Sequence, residues 1–382
     1  MLDLNSKRDS LEVQINSPAS PRLQRKVYPR SDKNYQKFSG LDFTATQAKV
    51  WDNFGLRSTT EKLHTWATFA LTGVFCGLTA FVIDFMVEEL VLVKWKLSQM
   101  LINDNFTGAM FIFVSLSVFF GAASAAMCVY FAPGAIASGL AELMAYMNGV
   151  NYPNFLNYET LFVKIFALGL SVSAGLCVGK EGPLAHIGAI IGIAVLYLPF
   201  DFLKRFRTED KKRELACAGA AAGVSAAFAA PIGGTLFMYE CTRSSTFWNF
   251  DLTWKIFFGS SIATFVLNIA CALKRGEDVL ITNAGLIKFG SYDAQPYDVK
   301  DFPFFIVLGV CGGLLGSFFN YMNVEVNIVR KVYLNKPWKK VAETALITGI
   351  TALMLFYAPL ITETDCEKIS DIQHAEVDSE FI

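Results

Sequence analysis

The chain has 382 residues, of which 53% are hydrophobic and 18% are charged, and its formal net charge is −1. Soluble domains carry about a quarter charged residues, so this composition favours a multi-span membrane protein and disfavours a soluble enzyme. The near-zero net charge gives no reason to expect a nucleic-acid partner. HExxH, GxSxG and Walker motifs are absent from the sequence. We therefore expect no enzyme activity, no metal site and no cofactor.

The first predicted elements are a tail and two membrane spans. Residues 1–60 are polar, and Lys and Arg lie ahead of the first apolar run, which predicts a largely disordered tail on the cytosolic side. The apolar stretches 65–93 and 108–133 are each long enough to cross a bilayer. We expect Asp84 and Glu88, near the end of the first stretch, to mark a lumenal helix end.

After Pro133 the apolar pattern becomes interrupted. The stretches 134–150, 161–178 and 184–200 are short and are separated by glycine and proline, and a further break occurs at Pro231. Short, broken apolar helices are typical of an ion or substrate site near the membrane midplane. The sequence therefore predicts an all-α, polytopic membrane protein with broken, tilted helices.

The remaining elements suggest an internal repeat. Further spans are predicted at 252–273, 302–322 and 341–361, with a polar connecting loop at 274–301 and a polar C-terminal tail at 363–382. Gly, Val, Gly and Leu recur in register in the segments that begin at Gly73 and Gly309. We interpret 61–273 as a first repeat and 302–362 as the start of a second, incomplete repeat, a common way to build transporters.

The segment GKEGP at 179–183 places a carboxylate between two apolar stretches. A glutamate near the bilayer centre costs about 2–3 kcal/mol, which makes Glu181 a functional candidate. Pro183 suits the first turn of a helix, and the positive end of that helix would attract an anion. Glu181 can therefore be a gate that a mobile anion displaces, or a capping carboxylate with Lys180 as its local partner.

Two motifs carry a family resemblance. GKEGPLAHIGAIIG, which begins at Gly179, and AGAAAGVSAAFAAPIGGTLFMYE, which begins at Ala218, resemble signatures of the ClC family of voltage-gated chloride channels and chloride/proton antiporters. The resemblance implies a ClC-type inverted repeat, a homodimer when complete, and Glu181 as the gating glutamate. It also implies an anion site formed by Ser138, Gly139 and the backbone of Gly182, Pro183, Leu184, Ala185 and His186.

The chain departs from the family pattern in three places. Ala137 and Ala141 stand where the family has glycine and proline beside the anion-binding serine. Cys241 aligns with the family's internal proton glutamate and Glu240 falls one residue earlier, so these two residues are the candidates for a proton pathway. The chain also ends before the family's later pore helix, pore tyrosine and nucleotide-binding domains, which leads us to expect a truncated membrane domain.

The resemblance therefore implies chloride transport by an integral, multi-pass protein in contact with membrane lipid. The sequence leaves the plasma membrane and the endosomal or vacuolar membrane open. Two alternatives remain: a chloride/proton antiporter of an intracellular membrane, and a non-conducting half-protein that assembles with or regulates full-length subunits. We expect His186 to be a packed neutral side chain and not a proton carrier.

Overall fold

The computed structural model describes residues 59–102, 105–150, 152, 154–242, 248–275 and 299–361. The predicted N-terminal tail up to residue 58, most of the predicted loop 274–301 and the predicted C-terminal tail lie outside these residues. Every regular element within them is helical. This confirms the predicted all-α fold class.

Ten α-helices follow one another in the described residues, with a π-helical turn (Met127–Phe131) and a 3-10 turn (Pro133–Ala135) after the second. In chain order they are α1 (Thr59–Ile102), α2 (Phe106–Ala126), α3 (Leu140–Met147), α4 (Tyr158–Ser173), α5 (Glu181–Val195), α6 (Glu209–Phe228), α7 (Pro231–Thr242), α8 (Phe250–Arg275), α9 (Phe302–Tyr333) and α10 (Pro337–Ile361).

Five helical segments are long and apolar enough to cross a membrane. They are Lys62–Ile102, Phe106–Phe131, Phe250–Lys274, Val299–Tyr333 and Pro337–Ala358. All five overlap the spans predicted from the sequence.

The other helices are short, as the interrupted apolar pattern predicts. Helix α3 has 8 residues, α7 has 12 and α5 has 15. At 1.5 Å per residue α5 is about 22 Å long, which is less than the roughly 30 Å hydrocarbon core of a bilayer. The left-handed backbone at Gly139 (φ +78°) and Gly175 (φ +85°) lies in the connections that precede α3 and follow α4.

Helices α5 and α6 cross with their backbones in contact. A Cβ added at Gly188 would overlap the carbonyl oxygen of Gly219, and one added at Gly219 would overlap that of Gly188. One turn away, a Cβ at Gly192 would overlap the carbonyl oxygen of Leu215, and one at Gly223 would overlap that of Leu184. The glycines at i and i+4 on each helix therefore form one continuous seam.

Helix α1 packs against two of these elements. A Cβ at Gly73 would overlap the carbonyl oxygen of Gly259 in α8, so these two helices also approach closely. About one turn along α1 from Gly73, the Cys76 Sγ lies 3.7 Å from the carbonyl oxygen of Gly219 in α6. Most residues of α5 and α6 are buried, so this pair lies in the core of the described residues, and α1 packs against it.

Helices α9 and α10 pack differently from each other. Helix α10 contacts α2 where Thr348 meets Gly121, and the Phe356 ring lies 5.7 Å from that of Phe113. In α9, by contrast, a Cβ at Gly309 or Gly313 would meet nothing within 4 Å in the described part of the chain. The internal repeat that was predicted from these glycines remains a prediction.

The α5–α6 seam generates a prediction about stability. Changing Gly219 to Ala should lower the free energy of unfolding by about 1–3 kcal/mol, because the new methyl group overlaps the backbone of α5. At Gly312 of α9 an added Cβ would meet nothing within 4 Å among the described residues, so Gly312→Ala should leave stability unchanged or raise it by up to about 1 kcal/mol through helix propensity. Thermal unfolding in detergent, followed by tryptophan fluorescence, measures both. Equal effects of the two changes would contradict this packing.

Candidate functional site

The N terminus of α5 presents backbone N–H groups that have no partner within the helix. The helix begins at Glu181, and its first intrahelical bond runs from the Leu184 N–H to the Lys180 carbonyl at 2.9 Å. Helix geometry gives the N–H groups of Glu181 and Gly182 no partner inside the helix, and Pro183 has no N–H. These two donors lie at the positive end of the helix dipole, where an anion is favoured.

The loop that carries Ser138 contacts this helix start. A Cβ added at Gly182 would lie 2.6 Å from the Ser138 Cβ and 3.6 Å from its Oγ. Ser138 is solvent-exposed, and its hydroxyl oxygen accepts a bond from the Leu140 N–H at 3.3 Å. On the far side of the loop, a Cβ at Gly139 would overlap the ring of His186. The structure therefore brings together four of the residues named by the resemblance.

The residues that follow in α5 have buried side chains, and the N–H of Leu184 already donates to the Lys180 carbonyl. The side chains of Leu184, Ala185 and His186 are all buried, with 2%, 0% and 0% of their surface exposed. The His186 ring points toward the Ser138 loop and α4, where its Nδ1 lies 2.9 Å from the Lys164 Nζ. Sequence reasoning missed Lys164, although the signal that could have found it is present: it is the only charged residue in the apolar stretch 161–178.

Glu181 folds back toward the residues that precede α5. A Cβ added at Gly179 would overlap the Oε2 atom of Glu181, so the carboxylate lies directly over that glycine. The Lys180 ammonium contacts a different carboxylate, the Asp84 Oδ1 of α1, at 2.7 Å. The interpretation of Glu181 as a cap with Lys180 as its partner does not match this pairing.

Asp84 and Glu88 form ion pairs from within α1 and do not mark a helix end, since the helix continues to Ile102. Asp84 pairs with Lys180, and Glu88 pairs with Lys274 of α8 at 2.6 Å. The first pair fixes the segment just before α5 to α1, while the second ties α1 to α8. The partners of the first pair are 96 residues apart in the chain, which explains why sequence patterns did not reveal them.

The proton-pathway candidates lie at the end of α7. Glu240 is exposed, whereas Cys241 is partly buried and packs against the core that contains Cys217. Among the described residues, no group of three or more His, Cys, Asp and Glu side chains is arranged to hold a metal ion.

The sequence of the chain is similar to those of known chloride transport proteins. The family model described as voltage gated chloride channel matches residues 120–379. H(+)/Cl(-) exchange transporter 7 of Homo sapiens is 35% identical over 325 residues, which cover 81% of this chain and 40% of that protein. Chloride channel protein D of Dictyostelium discoideum is 31% identical over 350 residues, which cover 88% of this chain and 34% of that protein. The chain therefore spans less than half the length of these relatives.

Two solved structures share the fold. A slow cyanobacterial Cl-/H+ antiporter superposes with a TM-score of 0.60 at 24% identity, covering 76% of this chain and 63% of that one. A eukaryotic CLC transporter superposes with a TM-score of 0.61 at 21% identity, covering 79% of this chain and 50% of that one. These likenesses confirm the expected ClC fold. Together with the family match, they show that the chain is a multi-pass membrane protein of the voltage gated chloride channel family.

Proposed function

We propose that the chain transports chloride across a membrane, and that the anion binds where the Ser138 loop meets the start of α5. The contact between Ser138 and Gly182 carries this proposal, because it sets a hydroxyl group beside backbone N–H groups that have no partner within their helix. The family and the names of the relatives support chloride as the ion.

The donors at this site are uncharged, which suits transport. A hydroxyl and backbone N–H groups can replace part of the hydration shell of chloride without holding it as tightly as a cationic side chain would. Transport requires binding that is favourable enough for entry and weak enough for release. We propose that Glu181 competes with chloride for the same helix end and so acts as the gate.

A second candidate function is chloride/proton exchange. The human relative at 35% identity is named as an H(+)/Cl(-) exchange transporter, and this name favours exchange. Glu240 is exposed at the end of α7 and is the carboxylate we propose for proton transfer if exchange occurs.

Lipid and a second copy of the chain are the partners that we propose. The long helices expose many large apolar side chains, for example Phe304 and Leu315 of α9, each with 69% of its surface accessible. Such surfaces are suited to contact with lipid or with another transmembrane helix.

The gate is tested by changing Glu181 to Ala in the 382-residue chain reconstituted into liposomes. Without the tethered carboxylate, chloride meets no competitor at the helix end, so passive chloride efflux should rise about tenfold, equivalent to 1.4 kcal/mol. Changing Glu181 to Gln, which mimics the neutral form, should act in the same direction. A chloride electrode measures the efflux.

Glu159 provides the matched control, since it also lies exposed in the first turn of a short helix, α4. Glu159→Ala should leave efflux unchanged, and equal efflux from wild type and Glu181→Ala would argue against the gate. Proton uptake driven by a chloride gradient in the same vesicles would identify exchange. The absence of any flux would favour the non-conducting alternative.

The Asp84–Lys180 ion pair generates a second functional prediction. Asp84→Asn frees the lysine next to the gate and releases the start of α5 from α1, so chloride efflux should change by roughly two- to fivefold, the range for a partly exposed ion pair. Glu88→Gln breaks the neighbouring pair with Lys274 and should leave efflux unchanged. Similar effects from the two substitutions would show that the Asp84 pair has no specific link to the gate.

A further inference from the structure

A buried lysine lies behind the loop that carries Ser138. Lys164 of α4 has 2% of its surface exposed, and its ammonium donates to the Ala137 carbonyl at 3.0 Å and to the Ala135 carbonyl at 3.4 Å. Its third contact is the His186 Nδ1 at 2.9 Å. Burial of an ammonium group is costly unless its protons are hydrogen-bonded. Here all three protons have an acceptor.

The lysine determines the protonation of His186. An ammonium group can only donate, so the Nδ1 atom must accept and carry no proton. The Nε2 atom then carries the proton and donates to the Phe155 carbonyl at 3.0 Å. The ring also stacks on the Phe155 ring at 4.0 Å between centroids. His186 is therefore neutral. Its ring accepts one hydrogen bond at Nδ1 and donates one at Nε2, and these two bonds fix its orientation.

The loop held by this pair has an unfavourable backbone. Ala137 has φ +60°, a left-handed conformation that costs an alanine about 1–2 kcal/mol, and Gly139 has φ +78°. Two carbonyls on either side of this bend point at the Lys164 ammonium, and Gly139 rests against the His186 ring. Contacts with Lys164 of α4 and with the His186 ring of α5 therefore hold the loop in this conformation, while Ser138 contacts the start of α5.

We propose that Lys164 and His186 form a buried positioning pair that fixes Ser138 relative to the start of α5 and thereby sets the anion selectivity of the site. This inference rests on the proposed function. Neither side chain is among the donors proposed for the anion. A small spherical anion such as chloride and a larger planar anion such as nitrate differ in the donor spacing that they fit. A rigid loop can discriminate between them, whereas a released loop adapts to both.

The test compares disruptive with conservative substitutions in the reconstituted full chain. Lys164→Met and His186→Leu remove the hydrogen bonds to the loop or between the pair. Lys164→Arg retains a buried donor cation, and His186→Gln can still accept from Lys164 and donate to the Phe155 carbonyl. The measured quantities are the ratio of chloride to nitrate flux, the chloride concentration at half-maximal flux, and chloride binding by ³⁵Cl NMR line broadening.

The disruptive variants should bring the flux ratio toward one and raise the half-saturating chloride concentration about tenfold, the effect of losing hydrogen bonds to a charged group. The conservative variants should stay within about twofold of wild type. Lys94→Met is the matched control. Lys94 is also buried, with 3% of its surface exposed, but its ammonium donates to the Ser173 carbonyl and not to the loop.

Three results would overturn the inference. Lys164→Met and His186→Leu could keep the wild-type ratio, the conservative variants could lose it as fully as the disruptive ones, or Lys94→Met could lose it equally. If Lys164→Met fails to give a monodisperse protein, the comparison of His186→Leu with His186→Gln decides the question. A wild-type chain with neither chloride flux nor chloride binding would instead refute the proposed function, and this inference with it.

Discussion

Two helices that touch backbone to backbone determine where the candidate site stands. At the crossing of α5 and α6, the carbonyl oxygens of Gly188 and Gly219 occupy the space that side chains would otherwise fill. Lipid tails are as apolar as leucine, so close van der Waals contact and weak Cα–H···O bonds must hold helices together in a membrane. The seam extends to Gly192 and Gly223, which prevents α5 from sliding along α6. The N terminus of α5 is therefore fixed in position.

The groups of the candidate site are arranged around the N terminus of α5. Uncharged donors, the Ser138 hydroxyl and the first N–H groups of α5, face the proposed anion position. The Lys164 cation lies behind the loop, where its ammonium group donates hydrogen bonds to two carbonyls and to His186. On the far side of the helix start, Asp84 binds Lys180 next to Glu181. Positive charge is thus present near the site without a cationic side chain among its proposed ligands.

The sequence predicted the helical class and the positions of the breaks, because apolar run length and the glycines and prolines between runs act locally. The family motifs name Ser138 and Gly182 for one site, and the structure places these two residues in contact. The sequence could not predict the Lys164–His186 or Asp84–Lys180 pairs, since each joins residues on separate elements; the position of Lys164 inside an apolar stretch marks it as unusual but does not identify its partner. The glycines of α9 resemble those of α1 in spacing, yet only those of α1 pack against another helix in the described residues. Spacing alone does not identify a partner.

The anion position itself is the most direct test of the central claim. Bromide is a halide with a usable anomalous signal, so anomalous diffraction from crystals of the full chain soaked in bromide locates the ion. The proposed site predicts a peak within hydrogen-bonding distance of the Ser138 Oγ and the Gly182 backbone nitrogen, weakened in a Ser138→Ala variant. Bromide ordered elsewhere with no peak at this position, or a peak that Ser138→Ala leaves unchanged, would contradict it.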